Sequence, residues 1–140
     1  MTRRSRTIAL TLAVLAAAPA SLALARQGGR DAGGVLVPGS CGKGATSKLA
    51  VKPDSGRLEV EFEVDQNRSG VPWNVVITHE RRLAVQGRRV TRAPSGSFSV
   101  ELRVADLAGA DQVIARATSR TGLTCRATAT LPAGAGRAED

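Results

Sequence analysis

Residues 64–73 read V-D-Q-N-R-S-G-V-P-W and set Asp65, Asn67, Ser69 and Gly70 at the spacing D-x-N-x-S-G. That is the front half of an EF-hand loop, which takes oxygen ligands at positions 1, 3 and 5, turns on glycine at 6 and closes with a bidentate Glu at 12. Counted from Asp65, position 9 is Trp73 and position 12 is Val76, neither with a side-chain oxygen. Asp65 is left as the one carboxylate, with Arg68 adding positive charge inside the loop. Asn, Ser and Gly also tolerate a tight backbone and cap it with side-chain hydrogen bonds. The expectation is therefore a turn between two strands, with Asp65, Asn67 and Ser69 as weak calcium candidates.

The other residue types that do chemistry are sparse. His79 is the one histidine and stands in H-E-R-R beside Glu80. Nucleophilic catalysis needs a nucleophile held by a positioned base, and no nucleophile elbow or similar signature accompanies it, so His79 is expected as an exposed turn residue. Glu59, Glu61 and Glu63 offer the carboxylates that glycoside hydrolysis uses, but they alternate with apolar residues. That spacing puts them on a solvated strand face, expected to pair with arginines on the neighbouring strand. There is no glycine-rich phosphate loop after a strand and no metal-spaced His/Cys cluster. No catalytic residue and no cofactor is expected.

Arg81, Arg82, Arg88, Arg89 and Arg92 form the densest charge run, five arginines within twelve residues. They fit a basic ledge for an anionic polymer, an acidic partner or a membrane face. They fit better the charged side chains that keep an outer strand from pairing with other molecules.

Positioning these groups falls to elements of period two. In R-L-E-V-E-F-E-V-D, Leu58, Val60, Phe62 and Val64 alternate with charged residues, as a strand with one buried face requires. Trp73, Val75 and Ile77 repeat the pattern, Leu83 and Val85 make a shorter piece, and Phe98, Val100, Leu102 and Val104 make a longer one. Val113, Ala115 and Ala117 follow, then Cys125, Ala127, Ala129 and Leu131. With residues 48–52 in front, about seven strands are expected, divided by turn signals such as Pro53-Asp54-Ser55-Gly56 and Pro94-Ser95-Gly96. Short strands without a long helix indicate an all-β, antiparallel β-sandwich, with a barrel as the alternative. Phe62, Trp73 and Phe98 are the only aromatics, so the core must be built of Val, Leu, Ile and Ala.

The first 25 residues read as a secretory signal. Arg3, Arg4 and Arg6 precede an uncharged apolar stretch, and Ala23-Leu24-Ala25 supplies the small residues of a cleavage site. An uncleaved membrane anchor is the alternative, since the uncharged stretch reaches the lower limit of a membrane span. Cleavage leaves 115 of 140 residues, one domain's worth, and lowers the net charge from +8 to +5. The expected organisation is a signal at residues 1–25, a flexible leader at 26–40, a domain at 41–131 and a disordered tail at 132–140. After cleavage no stable membrane span is expected. Cys41 and Cys125 are an even count in an exported chain, which implies one disulfide. A bridge closing so long a loop is worth about 4.5 kcal/mol by chain entropy. Arginine outnumbers lysine 17 to 3, with abundant alanine and glycine. GC-rich coding produces that imbalance whatever the function, and an exported protein seldom meets nucleic acid, so nucleic acid is not an expected partner.

The order of parts resembles an immunoglobulin-like sandwich. Trp73 opens the third strand, where that fold keeps its core tryptophan, and Asp106-Leu-Ala-Gly109-Ala-Asp111 is similar to the corner before the sixth strand. There is no tyrosine for a tyrosine corner, and the cysteines are not on the second and sixth strands. Residues 56–70 (G-R-L-E-V-E-F-E-V-D-Q-N-R-S-G), 91–98 (T-R-A-P-S-G-S-F) and 122–126 (G-L-T-C-R) also resemble small secreted proteins of unknown function from high-GC Gram-positive bacteria. That resemblance implies the fold and supplies no site. The expected function is an extracellular or cell-envelope binding module without catalysis, its partner an anionic cell-wall polymer or a cell-surface protein. The alternative is a secreted enzyme inhibitor, with residues 92–97 as its loop, or a small hydrolase.

Overall fold

Alternating side chains turn into strands that each bury one face. The computed structural model describes residues 33–135, so the expected signal at 1–25 and parts of the expected leader and tail lie outside the described residues. The strands are β1 (Val35–Pro38), β2 (Ser40–Cys41), β3 (Thr46–Asp54), β4 (Arg57–Asp65), β5 (Pro72–His79), β6 (Arg82–Val90), β7 (Ser97–Ala105), β8 (Asp111–Ser119) and β9 (Thr124–Leu131). They form two antiparallel sheets, one ordered β1-β3-β4-β7 and the other β2-β9-β8-β5-β6. The all-β sandwich is as expected, with β5 and β8 adjacent at the heart of one sheet and β4 beside β7 in the other, an immunoglobulin-like arrangement.

Nine strands replace the expected seven because residues 35–41 contribute β1 to one sheet and β2 to the other, where residues up to 40 were expected in a flexible leader. Gly39 lies at the crossover, donating from N to Ser47 O at 2.8 Å. Strand β6 is also longer than expected, running on from the Leu83–Val85 piece to Val90. Gln86-Gly87-Arg88-Arg89 does not alternate in hydropathy, because an edge strand has fewer neighbours to satisfy.

The core lies between the sheets. Leu49, Val51, Leu58, Val60, Phe62 and Val64 face Trp73, Ile77, Val113, Ala115, Ala117, Cys125 and Leu131, all nearly inaccessible to solvent. The three aromatics are buried, and Trp73 tilts against Phe98 with ring centroids 6.1 Å apart. Trp73 Nε1 donates to Gln66 Oε1 at 3.1 Å, which satisfies its one polar atom. Ala115, Ala117, Ala127 and Ala129 are buried in the same core.

Cys41 and Cys125 are bonded (S–S 2.10 Å) and are directly opposite in the β2–β9 ladder, 84 residues apart in sequence. The bridge therefore lies within one sheet, whereas immunoglobulin domains bridge the two sheets. It fastens the two-residue strand β2 to β9. A disulfide of this kind persists in oxidising compartments. Among the described residues no helix is long and apolar enough to cross a membrane.

Candidate functional site

The opening motif folds as a turn. Asp65 ends β4, and its Oδ1 accepts from Asn67 N at 2.8 Å, an Asx-turn with Asn67 at φ 56°. Thr91, buried from the facing loop, organises the rest: its Oγ1 donates to Arg68 O at 2.6 Å and accepts from Val71 N at 2.9 Å. Gly70 N donates to Thr91 O and Thr91 N to Val71 O. Gly96, at φ 73°, sits so close to the Arg68 backbone that a Cβ would collide with it, so the 92–97 turn packs directly on the motif. Beside Asp65, the Glu63 carboxylate is engaged by Lys48 at 3.1 Å. Among the described residues no group of three His, Cys, Asp or Glu side chains could hold a metal ion.

His79 differs from expectation. It is buried at the end of β5, and its Nε2 lies 2.6 Å from Oδ1 of Asp111, itself only 2 % exposed. Asp111 Oδ1 also accepts from Leu107 N at 3.4 Å, so the carboxylate ties down the corner before β8, where immunoglobulin domains use a tyrosine. Glu80, the partner suggested by sequence, turns to β8 instead: its backbone N donates to Gln112 O, and its Oε1 accepts from Gln112 N. Those two bonds hold a β5–β6 turn in which Glu80 and Arg81 both have positive φ, 47° and 64°. Such turns ordinarily take Asn or Gly there.

The glutamates line a solvated face as expected, but their partners are lysines. Lys48 meets Glu63 at 3.1 Å and Lys52 meets Glu59 at 3.0 Å, each pair directly opposite between β3 and β4. The hydrogen bond to Glu59, together with that residue's charge, holds the Lys52 pKa above its ordinary value. Arg103, the residue opposite Glu59 on β7, pairs with Asp54 instead. Glu61 faces Glu101 across β4–β7 and is steadied by Ser99 Oγ at 3.1 Å.

The five arginines of the sequence run are not one ledge. Arg88 is exposed on the outer face of β6, opposite Asn74. Arg89 is opposite buried Trp73 and so lies on the inner side of the same strand, with its Nη1 donating to Arg88 O at 2.9 Å. Arg81 and Arg82 lie at the far hairpin tip, roughly 20 Å from Arg88 at the rise of a strand. Arg92 closes the next turn through its backbone, O accepting from Gly96 N and N donating to Ser97 O. An inward charge at Arg89 and the bulge where Thr78 pairs Leu83 after Ile77 pairs Val85 are features that protect sheet edges.

Two arginines that sequence reasoning missed make the sharper feature. Arg116 on β8 and Arg126 on β9 are directly opposite, both exposed on the outer face of the five-stranded sheet. Like charges so placed destabilise a sheet. Strands β2, β9, β8, β5 and β6 together carry five arginines (82, 88, 89, 116 and 126) and a single acid, the buried Asp111. Asp54, Glu59, Glu61, Glu63, Asp65 and Glu101 all lie on the four-stranded sheet. The signal was present in V-I-A-R-A-T-S and C-R-A-T-A-T-L, where arginine fills outward slots between small inward residues. The pairing register was not.

Comparison with protein-family models finds no match to the chain, and comparison with curated proteins finds none either.

Proposed function

We propose that the chain is an exported, non-catalytic immunoglobulin-like module that binds an anionic polymer at the cell envelope, as one of the small secreted high-GC Gram-positive proteins it resembles. The observation that carries this reading is the outer face of the five-stranded sheet, where Arg88, Arg116 and Arg126 stand without an exposed acid on any of its strands. Guanidinium groups bind phosphate and carboxylate in a bidentate fork, and an anion between Arg116 and Arg126 relieves their mutual repulsion. Export is supported by the signal-like first 25 residues and by the Cys41–Cys125 bridge.

Catalysis finds little support in the side chains that would perform it. His79 is spent on Asp111, and Glu59 and Glu63 are spent on lysines. The inhibitor reading finds little in residues 92–97, which close on themselves through Arg92 and Ser97 rather than presenting an extended segment. The test is co-sedimentation of the mature protein with anionic cell-wall material across a salt series. Binding at low salt that weakens steeply as salt rises is expected, because screening shortens the reach of exposed charges. Absent or salt-insensitive binding removes the reading.

A further inference from the structure

The arginine pair does not end where the strands end. Along β8 the outward residues after Arg116 are Thr118 and then, in the turn, Arg120; along β9 Thr124 is opposite Thr118, their hydroxyls 3.5 Å apart. Asn74 and Arg88 continue that row across β5 and β6. The β8–β9 turn is fixed by Ser119, whose N donates to Leu123 O at 2.8 Å and whose Oγ accepts from Leu123 N at 3.0 Å. Arg120 N donates to Pro72 O, which ties this turn to the start of β5. One residue back, Val71 is bound to Thr91, and Thr91 in turn holds the carbonyl of Arg68. Gly96 of the turn that Arg92 closes rests on the Arg68 backbone. The turns bearing Arg120, Arg68 and Arg92 are thus joined to one another by backbone hydrogen bonds and close packing, and all three arginines are exposed.

Among the described residues Asp65, at the end of β4, is the acid of the strands that adjoins these turns. Its carboxylate takes the Asn67 N–H, and by register it shares the outer face of the four-stranded sheet with Glu59, Glu61 and Glu63. From Arg126 and Arg116, through Thr118 and Thr124, to the turns of Arg120, Arg68 and Arg92, no exposed acid lies on the strands of the five-stranded sheet among the described residues.

We infer that this is one continuous track, and that its ligand is a linear polymer with a phosphodiester or polyphosphate backbone lying across the β8–β9 turn. The inference rests on the anionic-polymer reading above and adds the path and the ligand's length. From the Arg116 row to Arg120 is four residues, roughly 13 Å at strand rise, too far for one phosphate and suited to several in a chain. Fixed turns fit such a ligand because little ordering remains to oppose binding. The threonine hydroxyls supply neutral donors between the charged stations.

The experiment titrates the mature protein with long-chain polyphosphate and with tripolyphosphate at several salt concentrations. Arg68→Gln, Arg120→Gln and the pair Arg116→Gln/Arg126→Gln are compared with Arg57→Gln on the other sheet, after thermal melts show each variant folded. The long chain is expected to bind at least tenfold more tightly than tripolyphosphate. Each track substitution is expected to weaken the long chain several-fold and to lower the slope of log affinity against log salt by about one per charge removed. Arg57→Gln should change neither. If Arg116→Gln/Arg126→Gln abolishes binding while Arg68→Gln and Arg120→Gln leave affinity and slope unchanged, the track is overturned and the sheet-face reading survives. Equal affinity for the two phosphates also overturns it. No binding by the parent protein to either phosphate or to cell-wall material overturns both.

Discussion

Trp73 and His79 show how differently single residues can be held. Trp73 combines full burial, a ring partner in Phe98 and a satisfied Nε1, in an apolar core whose only other rings are Phe62 and Phe98. Trp73→Ala should therefore lower unfolding free energy by roughly 3–5 kcal/mol, read from denaturant midpoints; a loss under about 1 kcal/mol would show the site able to collapse. His79 matters through its partner. His79→Ala leaves the buried Asp111 side chain with only the long bond from Leu107 N, and removing the partner of a buried polar group costs about 1–3 kcal/mol. His79→Gln, which keeps a donor, should recover part of that loss. An alanine variant as stable as the parent would mean that the pair contributes nothing net.

At the scale of elements, the N-terminal strands and the β8–β9 ladder are the informative pieces. Strand β2 has two residues and one neighbour, so the disulfide does most to hold it in place. Replacing Cys41 and Cys125 together with serine should cost about 2–5 kcal/mol, measured by chemical denaturation of the oxidised parent against the double variant. The β8–β9 ladder carries the opposite kind of feature, a repulsive pair at its centre. Arg116→Thr should raise stability by about 0.2–1 kcal/mol while weakening polyanion binding. Gain in one assay with loss in the other is the expected signature of a pair kept for its ligand. A variant that melts earlier and binds unchanged contradicts the functional assignment.

For the molecule as a whole, the governing property is the sorting of charge between the sheets. Apart from the buried Asp111, the acids carried on strands all lie on the four-stranded sheet, where Lys48, Lys52 and Arg103 balance three of them. The five-stranded sheet keeps its arginines unopposed by exposed acids on its own strands. A net charge of +8 for the whole chain conveys none of this, because it sums over faces that no single partner can touch together. Association with a polyanion should accordingly depend on which arginine is removed rather than on how many, a difference that equal-charge variants on the two sheets would reveal.

How much of this was legible beforehand follows from the range of the forces involved. Period-two alternation is written locally, so β4, β5, β7, β8 and β9 could be placed from residues such as Leu58, Val60, Phe62 and Val64, and the even cysteine count pointed to the bridge. The short strands β1 and β2 and the second half of β6 carry too little alternation to be read. They form because neighbouring strands offer them hydrogen bonds. His79 looked exposed beside charged neighbours, and only the meeting of β5 with β8 brings Asp111 to it. The amino-acid order by itself thus determined an all-strand sandwich with Trp73 at its centre and one sulfur link. Which arginines stand side by side was decided by tertiary pairing alone, since Arg116 meets Arg126 across a hairpin whose register depends on how Ala115, Ala117, Ala127 and Ala129 pack into the core.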